Sequence, residues 1–376
     1  MNVDIRRAET PENLEDYVEP DVYRDWQKRE GVPVIIDYAV EDLGALELGE
    51  WERKGGKGAI INIPNNFLPN DCHVVEIYPG GTSQPEHHMY EEMVYILSGR
   101  GATSVWLNES RKQTFEWNMG SFFAIPLNAW YQHYNASGTE PVRYVAVTNA
   151  PPVMRQWRNL DFIFNNAFQF TDRYAGDDDF FSSSGKAYTQ RLWRSNFVPS
   201  APNMPLFDYR TRGAGGIQAH IGMAKNVTRA HISEFPVGTY KKAHRHGPGA
   251  HLLILSGVGF SLLWNKEDRS DMRRADWKVG SMVIVPADAT FHQHFNTGSE
   301  RARYLALRQG NGTPSGWVGS DVSISEGGWQ IEYEDEAKEI HEMFEADLRN
   351  RGVPCHMKAF VPYCTGVVGP TNERET

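Results

Sequence analysis

The sequence predicts an all-β protein of two tandem barrels flanked by a helix at each end, and three observations predict it. The chain resembles itself at a constant offset of about 160 residues, which marks a duplicated unit. Within each copy, short runs of Val, Ile, Phe and Tyr are broken by Gly, Pro, Asn and Asp turns, the pattern of an all-β fold. A length of 376 residues suits two cores with connecting segments rather than one.

The repeat can be followed motif by motif. H-V-V-E-I-Y-P-G-G (73–81) answers H-I-S-E-F-P-V-G (231–238), and I-L-S-G-R-G (96–101) answers I-L-S-G-V-G (254–259). Trp106 answers Trp264, Trp117-Asn-Met-Gly120 answers Trp277-Lys-Val-Gly280, and Arg143-Tyr-Val-Ala answers Arg303-Tyr-Leu-Ala. These matches place a first barrel at 56–150 and a second at 216–330. The remainder divides into an N-terminal helical and extended segment (1–55), a connection (151–215) and a C-terminal helix with tail (331–376). One helix is predicted from Pro20-Asp21 to Gly31-Val-Pro33. A second runs from about Glu334 to Asn350, with Ala337, Ile340, Phe344 and Leu348 on one face. The stretch G-D-D-D-F-F-S-S-S-G (176–185) reads as a mobile loop, either a lid or a surface linker. The tail after Val361 reads as frayed. His73 and His231, at matching places in both copies, read as structural.

Composition excludes several classes. A net charge of −10 argues against nucleic acid or an anionic membrane as main partner. No apolar run reaches the ~20 residues of a membrane span, and the N-terminus lacks a secretory signal. Three cysteines, Cys72, Cys355 and Cys364, form neither a disulfide framework nor a zinc-motif spacing. A reduced, cytoplasmic protein is the expectation, as a homo-oligomer.

The chemistry-bearing pattern lies in the second copy. In G-T-Y-K-K-A-H-R-H-G-P-G-A-H (238–251), strand periodicity turns His244 and His246 to one face and Arg245 to the other. The later F-H-Q-H-F-N (291–296) supplies His292 as a third imidazole, with His294 two residues on. Three imidazoles from neighbouring strands can occupy one face of a metal ion and leave positions open for substrate and O₂ or water.

These residues resemble the two motifs of the cupin family, one giving H-x-H followed by Glu and the other the last His. The resemblance covers both repeats, about two-thirds of the chain, and implies a bicupin with two double-stranded β-helix (jelly-roll) barrels. Here the Glu position falls on Ala250, so the second barrel looks like the three-histidine variant. H-R-H-G-P-G-A and F-H-Q-H-F-N are similar to gentisate and salicylate ring-cleaving dioxygenases. That likeness implies His244, His246 and His292 as Fe(II) ligands and His294 as a proton-handling or substrate-contacting group; Mn, Ni or Zn would go with a redox-neutral reaction at the same residues. Two departures stand out. The gentisate enzymes carry their metal in the first barrel, and their A-L-R-F is replaced by Ala250-His251-Leu252-Leu253, which removes the arginine for a substrate carboxylate. His251 is left as a fourth ligand, a proton carrier or a packed side chain.

In the first copy, Q-P-E-H-H-M-Y-E-E (84–92) puts Glu86 in the place of His244, His88 in that of His246 and Glu92 at the Glu position, while Tyr131 replaces His292. This set reads first as a barrel kept for dimerisation or packing, with a second metal site as the alternative. His87 points to the opposite face. Trp264, Phe260 and Phe291 are candidates to line a pocket for a planar substrate. The functional expectation is a mononuclear non-haem Fe(II) dioxygenase acting with O₂ on a hydroxylated aromatic acid or related enolisable compound. The alternatives are a redox-neutral metal-dependent isomerase, lyase or decarboxylase, and a non-catalytic small-molecule-binding bicupin.

Overall fold

The computed structural model describes residues 19–65, 67–189, 191–310 and 321–366. The N-terminal residues on which the expectation of no secretory signal rests, and the part of the tail beyond 366, lie outside them. Two jelly-roll barrels follow one another, as the repeat predicts. In the first, the larger sheet runs Val34–Ile36, Gly56–Asn62, Asp71–Ile77, Val142–Thr148, Glu92–Ser98, Phe122–Ile125, and the facing sheet runs Trp130–Asn135, Arg100–Asn108, Arg111–Asn118. The second barrel repeats that order with Ile217–Gly222, Thr228–Phe235, Ala302–Gln309, Ala250–Ser256, Met282–Val285, and with Phe291–Asn296, Gly259–Trp264, Arg273–Trp277.

The repeated L-S-G-x-G has a steric cause. Gly99 and Gly257 have φ of +85° and +87°, a turn conformation that disfavours a side chain. A Cβ on Gly101 or Gly259 would lie 2.0 or 1.9 Å from the carbonyl oxygen of Tyr134 or Phe295 on the paired strand.

Each barrel is completed by a strand from outside its own repeat. Ala39–Val40 pairs with Met282–Val285 of the second barrel, while Phe197–Val198 from the connection pairs with Phe122–Ile125 of the first. The R-Y-x-A repeat holds these crossings. Arg143 grips Glu76 and the carbonyls of Leu43, Gly44 and Leu46; Arg303 grips Glu234 and the carbonyls of Ala201, Pro202 and Met204.

Four α-helices are described. Helix α1 (Val22–Glu30) starts on the side chain of Asp21 and ends at Gly31, close to its predicted limits. Helices α2 (Ala150–Trp157) and α3 (Leu160–Phe164) open the connection. Helix α4 (Lys338–Arg351) buries Ile340, Phe344 and Leu348 as predicted. It starts four residues late, because Glu336 turns inward to Tyr240 and Gln293 and Ala337 is extended.

The 176–185 loop is pinned to the first barrel rather than free: Phe181 stacks on Phe115 at 4.1 Å, and Asp178 meets Arg111. The tail is likewise packed as far as it is described, with Val361 and Cys364 buried beside α4. No helix among the described residues is long and apolar enough to cross a membrane.

Candidate metal centre

His244 and His292 sit directly opposite each other on adjacent extended segments and exchange both backbone hydrogen bonds, at 3.1 and 2.8 Å. His246 follows on the same face. Ring centroids lie 4.1 Å apart for His244 and His292, 4.8 Å for His246 and His292, and 5.6 Å for His244 and His246. One ligand nitrogen from each comes within 4.8 Å of the others. His292 Nδ1 lies 3.0 Å from the Thr290 carbonyl, and His244 Nδ1 lies 3.3 Å from that of Lys242. An Nδ1–H donated to a carbonyl leaves the Nε2 lone pair for a metal and fixes the ring's orientation.

The surroundings keep these rings neutral. Burial, then the positive charge of Arg212, pushes His244 well below the usual histidine range; burial and then His292 do the same for His246. Burial lowers His292 to about 4, partly opposed by its bond to Thr290. Neutral imidazole is the metal-binding form, so the donor set suits a divalent ion.

Sequence reasoning missed two arginines and a lysine around the triad. Arg308 lies on Ala302–Gln309, where alternation places it on the inward face with Tyr304 and Ala306; its Nε is buried with no partner among the described residues. Arg212 ends a short 3-10 turn at 210–212 and donates to Gln330 Oε1 at 3.0 Å. Lys241 reaches the Ser233 hydroxyl and, at 3.2 Å, the Tyr304 hydroxyl. Burial, reinforced by Arg212, drives its amine well below the usual lysine range. The charged groups that act most on His244, His246, His292 and His294 are cations or other histidines, with no carboxylate among them. Strand alternation from Tyr304 could have flagged Arg308. Arg212 lies too far along the chain for any local signal.

The other candidates are placed as follows. His294 is buried, its ring 5.7 Å from that of His292, with Nδ1 2.7 Å from the Ser261 hydroxyl that also accepts from Trp277. The first barrel has the same trio in His133, Thr103 and Trp117, so part of this arrangement belongs to the fold. His251 is a correction. It faces the first barrel, where its Nδ1 lies 2.8 Å from Asn70 Nδ2 and Asp71 acts on it, so it joins neither the triad nor its proton path. Trp264, Phe260 and Phe291 are a second correction. Phe291 precedes His292, so it must point to the opposite face. All three pack in the layer between the barrel wall, α4 and the tail, with Phe260 stacked on Phe295 and Trp264 on Phe291.

In the first barrel Glu86, His88, Glu92 and Tyr131 do come together, but around a residue the sequence reading overlooked. The ammonium of Lys54 lies 2.5 Å from Glu86 Oε1, 3.8 Å from Glu92 Oε2 and 3.3 Å from the Tyr131 hydroxyl. His88 Nε2 is 3.1 Å from Glu92 and 3.2 Å from Tyr131. Burial works against the ammonium, yet Glu86 and Glu92 outweigh it and raise the lysine's pKa. The Lys54 ammonium thus sits among these side chains and balances the charge of the two carboxylates. His87 points away, its ring against Trp130.

Residues 73–148 match the cupin domain family. Over 120 residues the chain is 28% identical to a probable oxalate decarboxylase of Arthroderma benhamiae; the match spans 30% of this chain and 30% of that relative. Similar solved structures include the Lactobacillus farciminis oxalate decarboxylase formate complex (12% identity, TM-score 0.47, covering 73% of this chain and 86% of that one). A single-residue variant of Bacillus subtilis oxalate decarboxylase gives 12% identity and a TM-score of 0.48, covering 81% and 85%. Hazelnut (Corylus avellana) vicilin gives 10% and 0.45, covering 72% and 85%.

Proposed function

We propose that the second barrel is a mononuclear metal site that breaks a carbon–carbon bond of a small carboxylic acid without net oxidation, as a decarboxylase does. One observation carries the reading: three buried neutral imidazoles converge beside the guanidinium groups of Arg212 and Arg308, with no carboxylate among the groups acting most on them. Such a setting favours an anion. The stretch shared with a probable oxalate decarboxylase points to the same class.

His244, His246 and His292 would hold the ion, Mn(II) or Fe(II) ahead of Ni(II) or Zn(II). With only neutral ligands it keeps its full charge and supplies Lewis acidity toward the bound acid. The guanidinium groups of Arg212 and Arg308 would hold carboxylate oxygens through paired N–H donors. As CO₂ leaves, the carbon it leaves must gain a proton. Lys241 and Tyr304, hydrogen-bonded to each other, are the pair to deliver it. The Tyr304 phenol, pushed up to about 12 by burial, keeps its proton at neutral pH.

A second reading, an Fe(II) dioxygenase of hydroxylated aromatic acids using O₂, is favoured by Ala250, which leaves the three-histidine set without a carboxylate. One experiment separates the two. Protein loaded anaerobically with Mn(II) or Fe(II) is offered oxalate, related hydroxy acids, gentisate and salicylate, and CO₂ release and O₂ uptake are followed. CO₂ release without O₂ consumption, abolished by His292→Ala, is the expected result. O₂ uptake matched to ring cleavage would establish the dioxygenase. Inertness of the loaded protein toward every acid would leave a binding protein.

A further inference from the structure

A second cluster of metal-binding side chains lies outside both barrel interiors. His341 and Glu345 sit one turn apart on α4, and Cys355 and Cys364 come from the tail packed against it; all four are buried, with ligand atoms within 4.8 Å of one another. We infer that these four residues form a structural zinc site that fastens the C-terminal tail to α4.

The distances favour a tetrahedron. With Zn–S near 2.3 Å and Zn–N or Zn–O near 2.0–2.1 Å, the edges of a tetrahedral site are about 3.8 Å for S–S, 3.6 Å for S–O and 3.3 Å for N–O. The corresponding separations are 3.5 Å for Cys355 Sγ–Cys364 Sγ, 3.6 Å for Cys364 Sγ–Glu345 Oε1 and 3.2 Å for His341 Nε2–Glu345 Oε1. A disulfide would need the sulfurs at about 2.05 Å.

Hydrogen bonding gives an independent argument. Tyr240 OH donates to Glu336 Oε1 at 2.6 Å, and His341 Nδ1 lies 3.1 Å from the Tyr240 oxygen. In the tautomer that donates Nδ1–H to that oxygen, the His341 Nε2 lone pair faces a carboxylate oxygen of Glu345 3.2 Å away, two acceptors in contact. A cation between them removes the conflict, and a ligating histidine whose other nitrogen is anchored is the usual arrangement of a zinc site. Thr365 N–H and Oγ1 donate to Glu345 and hold the carboxylate in place. Binding would displace the two thiol protons, leaving two thiolates, a carboxylate and an imidazole as a closed set with no open position. Cys355-x₈-Cys364 is no standard zinc spacing; the pair is brought together only by the turn at 357–364.

The test is elemental analysis of the full chain purified without chelators, together with cobalt substitution. One zinc per chain is expected, retained by a His244→Ala/His246→Ala variant and lost from Cys355→Ser/Cys364→Ser. Cobalt-substituted wild type should show thiolate-to-cobalt charge-transfer absorption, which does not depend on the cysteine variant folding. Zinc-free wild type lacking that absorption with Co(II), or a Cys355–Cys364 disulfide in an unreduced digest, overturns the assignment. None of these readouts depends on the activity of the second barrel.

Discussion

Replacing Lys54 by Met keeps the side chain's length and removes its charge. The ammonium lies 2.5 Å from Glu86 and 3.8 Å from Glu92, and the side chain is 1% exposed. At an effective dielectric of ~20 these contacts correspond to about 7 and 4 kcal/mol of gross attraction, set against the desolvation of three charges. The net loss on removing one member of such a buried group is about 3–5 kcal/mol, since the acids left behind are uncompensated. The loss must depend on pH. In the wild type burial raises Glu92's pKa, but Lys54 and His88 outweigh it and depress it below the usual 4.5, so the stability it contributes is present above pH 4.5 and lost as pH falls. In Lys54→Met the burial that raises Glu92 is no longer opposed by the ammonium, so Glu92 binds its proton more tightly than in the wild type and the deficit grows as pH rises past 4.5. Denaturant titrations at pH 5 and 8, followed by fluorescence with Trp51 5.9 Å from Lys54 as local reporter, should show a deficit several-fold larger at pH 8. Adding Glu86→Gln and Glu92→Gln should recover most of it. A deficit below about 1 kcal/mol, or one equal at both pH values, would refute the idea that this ammonium compensates the two buried acids.

Trp264→Ala should cost about 3–5 kcal/mol of stability, as large core truncations do, while leaving the affinity for carboxylate anions unchanged; calorimetric binding and thermal melts check both, and a loss of affinity would put Trp264 back in the pocket. Glu336, pushed up to about 7 by burial against the opposing bonds from Tyr240 and Gln293, holds its proton more tightly folded than unfolded. Its contribution, roughly 3 kcal/mol at 1.36 kcal/mol per pH unit, is full below pH 4.5 and lost as pH rises through 7. Glu336→Gln should therefore flatten the stability profile between pH 5 and 8, which denaturation at several pH values would detect. Arg303→Ala frees the carbonyls of Ala201, Pro202 and Met204 and should speed proteolysis of that crossing; an unchanged cleavage pattern would show that the strand Phe197–Val198 holds it alone.

How much was legible in the sequence follows from the range of each interaction. The barrels, α1 and the convergence of His244, His246 and His292 rest on local periodicity and on a repeat that aligns whole strands. The fate of Phe291 was equally readable from its neighbour His292, since consecutive strand residues face opposite ways. Lys54 and Arg212 were not readable, because each enters its barrel from a turn about thirty residues before the motif it meets. His251 looked like a site residue for its closeness to His246, yet the turn at Gly247–Gly249 resets the alternation and sends it toward the first barrel. Cys355 and Cys364 meet His341 only through tertiary packing of the tail.

Lys54 and Arg212 turn out to be the same position in the two copies. Each ends a 3-10 turn closed by the following glycine, Gly55 bonding to Glu52 and Gly213 to Arg210, and each turn leads into the corresponding strand. In the first copy the cation meets Glu86 and Glu92 and is neutralised. In the second those places are His244 and Ala250, so the Arg212 charge, Arg308 and a bound dication would face one another across neutral rings. That repulsion must weaken metal binding until an anion enters, and by linkage the metal must strengthen anion binding by the same factor. Metal affinity measured by competition should rise with added formate or acetate, and Arg308→Met should bind metal more tightly in the absence of an anion while responding less to one. Metal affinity indifferent to both would mean that the arginines do not act on the ion.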